Sequence, residues 1–210
     1  MEHIKTMYSK KIATDVGEIV IEGPVPSDIM REYSFHDGLR AFREPKGQFK
    51  AILEIAELAE GRIIIARKEK VIVGYATLLY PEVPERWAEG DMDDLLELGA
   101  IEVALDYRKY SLGKNILAVA MLDPYMEHYI VISTECYWHW DLSHSGLDIW
   151  EYRSVMERTM AAGGLKWLTT DDPEINAHPA NCLMARVGKH VPATSVVKFD
   201  QLRFKYKTMY

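Results

Sequence analysis

Glu97-Leu-Gly-Ala-Ile-Glu-Val-Ala-Leu-Asp-Tyr-Arg-Lys-Tyr-Ser-Leu-Gly-Lys114 is the stretch that decides the fold. Its first half continues an apolar run from Leu95 to Leu105 and reads as a central strand. Its second half is a tight, partly basic turn that opens near Ser111 into a helix carrying Leu112, Ile116, Leu117 and Ala120 on one side. A turn that runs straight into a helix leaves backbone N–H groups unpaired and aims the positive end of the helix dipole outward. Such a layout suits a phosphate or pyrophosphate, and Arg108, Lys109 and Lys114 add charge. It is not a Walker loop, because residue 108 is Arg rather than Gly and Asn115 stands where a Ser or Thr follows the lysine.

Beyond this helix Pro124 is expected to kink or stop it, since a proline there clashes with the carbonyl of Ala120. Tyr129 to Glu135 is a β-branched run that a crossover helix would place parallel to the central strand. Asp148 and Glu151 have capping-box spacing and predict a helix to about Ala162, stopped by Gly163-Gly164, with a strand returning over Leu165 to Thr170. The segment from Asp171 reads as loop plus two short helices, Asn181 to Val187 and Thr194 to Phe204.

Upstream, Gly17 to Val25 reads as the first strand, followed by a short helix capped by Ser27 or Asp28 and running to Tyr33. Phe49, Ile52, Leu53, Ala56 and Ala59 recur at helical spacing, with Gly61 where a left-handed C-terminal residue belongs. Arg62 to Arg67 and Val71 to Tyr80 form a predicted hairpin around Lys68-Glu-Lys70, and Pro81 to Asp94 reads as loop. The order β, α, α, β, β, β, α, β, α, β with a helical tail predicts a mixed α/β fold: a mixed central sheet flanked by helices.

The 210 residues suffice for one domain with an added subdomain. A charged fraction of 27% and a mean hydropathy of −0.17 predict a soluble protein with no membrane association. Residues 1–11 lack the apolar core of a secretory signal, and Cys136 and Cys182 have no CxxC spacing, so two free thiols and a cytoplasmic location are expected. The net charge of −7 and the lack of a basic stripe argue against nucleic-acid binding.

Arg108-Lys-Tyr-Ser-Leu-Gly113, placed between a strand and a helix, resembles the acyl-CoA signature Arg/Gln-x-x-Gly-x-Gly/Ala of the GNAT N-acetyltransferase superfamily, with Ser111 where the pattern prefers Gly. The resemblance implies a GNAT fold over 1–170, with a splayed parallel strand pair, and a helical C-terminal extension over 171–210 packed on it. Ile21-Glu-Gly-Pro24, Glu60-Gly-Arg-Ile-Ile-Ile-Ala-Arg67, Tyr137-Trp-His-Trp-Asp141 and His178-Pro-Ala-Asn-Cys-Leu-Met-Ala-Arg186 further resemble the acetoin utilization acetyltransferases of Bacillus-type bacteria. That likeness implies a protein lysine acetyltransferase that uses acetyl-CoA and inactivates AMP-forming acetyl-CoA synthetase at its active-site lysine.

Acetyl transfer to an amine needs a held donor, a polarised carbonyl and a deprotonated amine. The resemblance assigns coenzyme binding to Val103, Ala104, Leu105, Arg108, Lys109, Tyr110, Ser111, Leu112, Gly113 and Lys114, with the Val103 N–H as oxyanion donor. Glu97 and Glu102 are the candidate bases. They are five residues apart, so strict alternation puts them on opposite faces of the strand. Glu97 is preferred because it precedes Val103 by six residues, a spacing seen in protein acetyltransferases of the superfamily. Tyr152 is the candidate acid for the leaving thiolate, with a packed tyrosine as the competing reading.

Arg43 and Trp138 are candidate partner contacts, the latter within the aromatic cluster Tyr137-Trp-His-Trp140 at a strand end. His128, His139 and His144 lack metal-ligand spacing, so no metal is expected. Two alternatives stay open: a small-molecule amine acetyltransferase, and a non-catalytic acyl-CoA sensor that controls a partner.

Overall fold

A computed structural model describes residues 1–206. The elements in chain order are β1 (Tyr8–Thr14), β2 (Gly17–Gly23), α1 (Ser27–Met30), β3 (Ser34–Phe35), α2 (Pro45–Glu57), β4 (Arg62–Lys68), β5 (Val71–Leu79), β6 (Leu95–Val103), α3 (Leu112–Ala120), β7 (Ile130–Glu135), α4 (Leu142–Ser145), α5 (Ile149–Ala161), β8 (Lys166–Leu168), α6 (Pro173–Asn176), β9 (Cys182–Val187) and α7 (Ala193–Arg203). Strand hydrogen bonding follows the order β1-β2-β4-β5-β6-β7-β9-β8, with β3 beside β5. This is the mixed sheet, flanked by helices, that the GNAT resemblance calls for. Residues 2–79 with 98–126 form one compact unit; residue 1, 80–97 and 127–206 form a second.

In the first unit, β1, β2, β4 and β5 are antiparallel neighbours, with a bulge between Ala66 and Arg67, and β3 adds two parallel residues to β5. Ile63, Ile65, Ile72 and Tyr75 point into a core shared with Val25, Met30, Leu39 and Ile52. Each such aliphatic side chain stabilises the fold by about 1.5–3 kcal/mol. Helix α3 is nine residues long, too short to persist alone in water. It is held by burying Leu112, Ile116, Leu117, Val119 and Ala120. It ends before Pro124, as the proline requires.

Three expectations fail here. Strand β1 precedes the expected first strand; its Lys10 and Lys11 are exposed, and only alternate residues are partly covered, so it carries little apolar signal. The short α1 is preceded by Pro26 and gains no side-chain cap from Ser27 or Asp28. Gly61 is not left-handed: α2 ends at Glu57 with an extended Leu58. Gly61 is needed for space, since a Cβ there would sit 1.9 Å from the Ile55 carbonyl oxygen.

In the second unit, Leu95–Glu97 of β6 pair in parallel with Ile130–Ile132 of β7. The capping box of α5 is complete: Asp148 accepts from the Trp150 and Glu151 N–H groups, and Glu151 accepts from the Asp148 N–H. The expected helix over Asn181–Val187 is instead strand β9, antiparallel to both β7 and β8, so the chain from Asp171 is not all helical. Leu, Met, Ala and Arg favour helix by propensity, but two neighbouring strands offer Cys182–Val187 a full ladder, and Leu183 and Ala185 enter a core with Trp87, Ile130, Ile132 and Phe199. Strand β8 is confined to Lys166–Leu168, and the loop from Pro81 to Asp94 contains a 3-10 turn at Ala88–Gly90.

Candidate active site

Within the first unit, the chain leaves β6 through a 3-10 turn over Leu105–Tyr110 and turns sharply at Ser111 before α3 begins. Ser111 has φ 54° and ψ 34°, the left-handed region that a residue with a Cβ enters at a cost of about 1 kcal/mol or more. The Gly preferred at this place in the signature therefore serves backbone geometry as well as clearance. No side chain caps α3. The N–H groups of Leu112, Gly113 and Lys114 precede the first intrahelical bond, which runs from Asn115 N–H to the Ser111 carbonyl at 3.3 Å. Lys114 is half-buried and forms no ion pair among the described residues.

The other basic side chains of the turn are differently employed. Lys109 pairs with Asp15 in the β1–β2 turn at 2.9 Å, and the Tyr110 hydroxyl donates to the same carboxylate. Lys109, expected to contribute to an anion site, is thus paired with exposed Asp15, whose pKa is lowered by the Tyr110 and Lys109 hydrogen bonds. Arg108 Nε donates to the Val103 carbonyl at 3.2 Å, bracing the strand end. Ala104 is buried and its N–H donates to the Val73 carbonyl, while Leu105 is exposed.

Glu102 is buried in the same unit, with both carboxylate oxygens engaged. Oε1 accepts from the Ala41 N–H at 2.8 Å and Oε2 accepts from the Tyr75 hydroxyl at 2.9 Å. Burial, reinforced by Glu102, raises the Tyr75 phenol well above its ordinary value. Glu102 thus fastens the loop that carries exposed Arg43 two residues beyond Ala41, and no hydrogen bond or ion pair holds Arg43 itself among the described residues.

Glu97 lies in the second unit, buried on β6. It accepts from the Thr134 hydroxyl at 3.3 Å and lies near Glu85 of the preceding loop. Burial, with the Glu85 and Glu82 charges adding to it, pushes its carboxyl up to about 8. Tyr152 stacks on Trp140 with ring centres 5.3 Å apart, and the Trp140 indole N–H donates to the buried Glu135 at 3.1 Å. Trp138 is exposed and packs edge-on against Tyr137. Among the described residues no three His, Cys, Asp or Glu side chains are grouped to hold a metal, and no helix is long and apolar enough to cross a membrane.

No protein-family model matches the chain. It is 57% identical over 210 residues to the acetoin utilization protein AcuA of Bacillus subtilis (strain 168) and 56% identical over 210 residues to that of Bacillus licheniformis, covering the full length of both. The chain belongs to the AcuA family. The crystal structure of an acetoin utilization protein from Exiguobacterium sibiricum agrees with a TM-score of 0.93 at 53% identity, over 96% of either chain.

For this AcuA family member, the structure places Ser111 and Lys114 at one uncapped helix start, turns Arg108 to the Val103 carbonyl, and gives Glu97 and Glu102 separate sets of partners. Sequence reasoning missed Thr134, Glu85, Asp15 and Tyr75. Thr134 could have been found, because the run from Tyr129 to Glu135 is expected to lie parallel to the strand that carries Glu97. Asp15 could not, since its role depends on β1.

Proposed function

We propose that this AcuA family member is an acetyl-CoA-dependent lysine N-acetyltransferase of the GNAT type that acts in the cytoplasm in acetoin utilization, its substrate being AMP-forming acetyl-CoA synthetase, inactivated at the active-site lysine. The observation that carries this reading is the uncapped start of α3, entered through a left-handed Ser111 and flanked by Lys114, which has no ion-pair partner among the described residues. Free N–H groups at a helix start, with a lysine beside them, fit the diphosphate of coenzyme A. Family membership supports the same reading.

In the chemistry, the lysine nitrogen forms a bond to the thioester carbonyl carbon, the C–S bond breaks, and the proton lost by the amine passes to a base. The Val103 N–H is the proposed donor to the developing oxyanion, with Arg108 steadying its strand end. Glu97 is the proposed base. Transfer from a lysine ammonium of pKa about 10.4 to an ordinary carboxylate is uphill by about 8 kcal/mol, and by only about 3 kcal/mol to a carboxyl near 8. Glu102, with both oxygens occupied, is assigned to holding the Arg43 loop. Tyr152 is placed by its Trp140 stack, and its role as acid to the thiolate remains part of the proposal.

Incubation with acetyl-CoA and purified acetyl-CoA synthetase, followed by mass mapping, is expected to find acetylation on one lysine with loss of synthetase activity. Scattered labelling, or none, refutes the substrate. Calorimetry separates the steps: acetyl-CoA binding without any acetyl transfer leaves an acyl-CoA sensor, and no binding at millimolar acetyl-CoA removes the coenzyme site.

A further inference from the structure

Four rings from three separate parts of the second unit form a continuous row: Trp138, Tyr137, His178 and Trp150, with successive centres 5.4, 4.4 and 6.4 Å apart. The two end indoles are 45% and 53% exposed, although tryptophan is normally among the most thoroughly covered side chains. The row is deliberately held. The Tyr137 N–H donates to Asn181 Oδ1 at 3.0 Å, while Asn181 Nδ2 donates to the Glu174 carbonyl at 3.1 Å. His178 Nδ1 accepts from the Ala180 N–H, and Trp150 is fixed in the first turn of α5 by Asp148. Exposed indoles on a rigid support mark a surface that another molecule covers.

Charge identifies the occupant. Residues 135–181 supply every ring; of their eight Asp or Glu, Glu135 is buried, Asp171 and Asp172 pair with Arg86 and Glu157 pairs with Arg153, which leaves Asp141, Asp148, Glu151 and Glu174 against Arg158 and Lys166. Asp148 and Glu151 flank Trp150 directly, and an exposed Glu174 stands beside the Asn181 bridge. Arg153 is bound to Glu157 and the Pro179 carbonyl. Aromatic faces set in an acidic surround attract ammonium and guanidinium groups.

We propose that this row is a docking surface for a lysine- or arginine-bearing segment of a protein partner. On the function proposed above, that segment belongs to the protein whose lysine is acetylated, and to that extent the inference rests on it. The row then recognises cationic residues outside the reacting lysine and confers preference for a protein over a small amine.

The test titrates a hexalysine peptide, with a hexaglutamate peptide as control, into wild type, the Trp138→Ala/Trp150→Ala double variant, and Trp167→Ala, which removes a 56% exposed indole outside the row. Hexalysine is expected to bind wild type and Trp167→Ala equally, to bind the double variant about tenfold or more weakly, and to be displaced by salt. Equal hexalysine affinity in wild type and the double variant overturns the proposal, as does hexaglutamate binding as tight as hexalysine. Acetylation of the synthetase is measured in parallel. Loss of synthetase labelling by wild type would remove the substrate assignment alone, whereas the row stands or falls on the peptide titration.

Discussion

Replacing Glu97 by Gln should stabilise the protein at alkaline pH and flatten its stability profile between pH 5 and 8. The folded protein keeps a proton on Glu97 from its ordinary value of 4.5 up to about 8, whereas the unfolded chain releases it near 4.5. Within this window the folded state binds more protons, so stability falls as pH rises and levels off above 8. The displacement corresponds to a ceiling of about 5 kcal/mol at about 1.4 kcal/mol per pH unit. Relaxation of the Glu85 loop, whose charge contributes to the shift, lowers the expected loss to about 2–3 kcal/mol. Glutamine has the shape of the protonated acid: its amide oxygen can still accept from Thr134 and its nitrogen can donate to Glu85. Thermal and urea unfolding at pH 5.5, 7 and 8.5 should show the two proteins alike at the lowest pH. At the highest, the variant should melt about 5–10 °C above wild type. Parallel stability curves for the two proteins would refute the reasoning. With Glu97 as the base, wild type is expected to transfer acetyl faster as pH approaches 8, and the same substitution should remove that rise.

Asp123→Ala should cost about 3–5 kcal/mol in denaturant unfolding, because Arg62 and Asp123 are 1% and 2% exposed and a buried guanidinium would lose its carboxylate. The variant should also expose residues 2–6 to protease, since Asp123 accepts from the Thr6 N–H. Gly61→Ala, forced against the Ile55 carbonyl, should lower stability by about 2 kcal/mol or more, which a melting curve would register. Ser111→Gly should hold or raise stability by up to about 1 kcal/mol, and Ser111→Val should lower it by about 1–2 kcal/mol. Calorimetry should find weaker acetyl-CoA binding in the valine variant only.

Local rules carried much of the chain. The capping box at Asp148 and Glu151 is satisfied within four residues, and the hairpin around Glu69 needs only its own two strands. The buried face of α3 follows from apolar spacing, and its start is legible because helix initiation is a local event. Where several segments had to meet, the reading failed. Strand β9 has the composition of a helix and is extended because β7 and β8 flank it. The pairing of Lys109 with Asp15 depends on β1, whose alternation is too weak to stand out.

The sequence by itself determined the strand-turn-helix around Arg108–Lys114 on which the proposed coenzyme site rests, because unpaired amides at a helix start are a property of the backbone and its few neighbouring residues. Only the tertiary structure gave the two glutamates their different surroundings. Their surroundings come from residues distant in the chain, Thr134 and Glu85 for one and Ala41 and Tyr75 for the other, and the solvation and hydrogen bonding of a carboxylate are set by what packs against it.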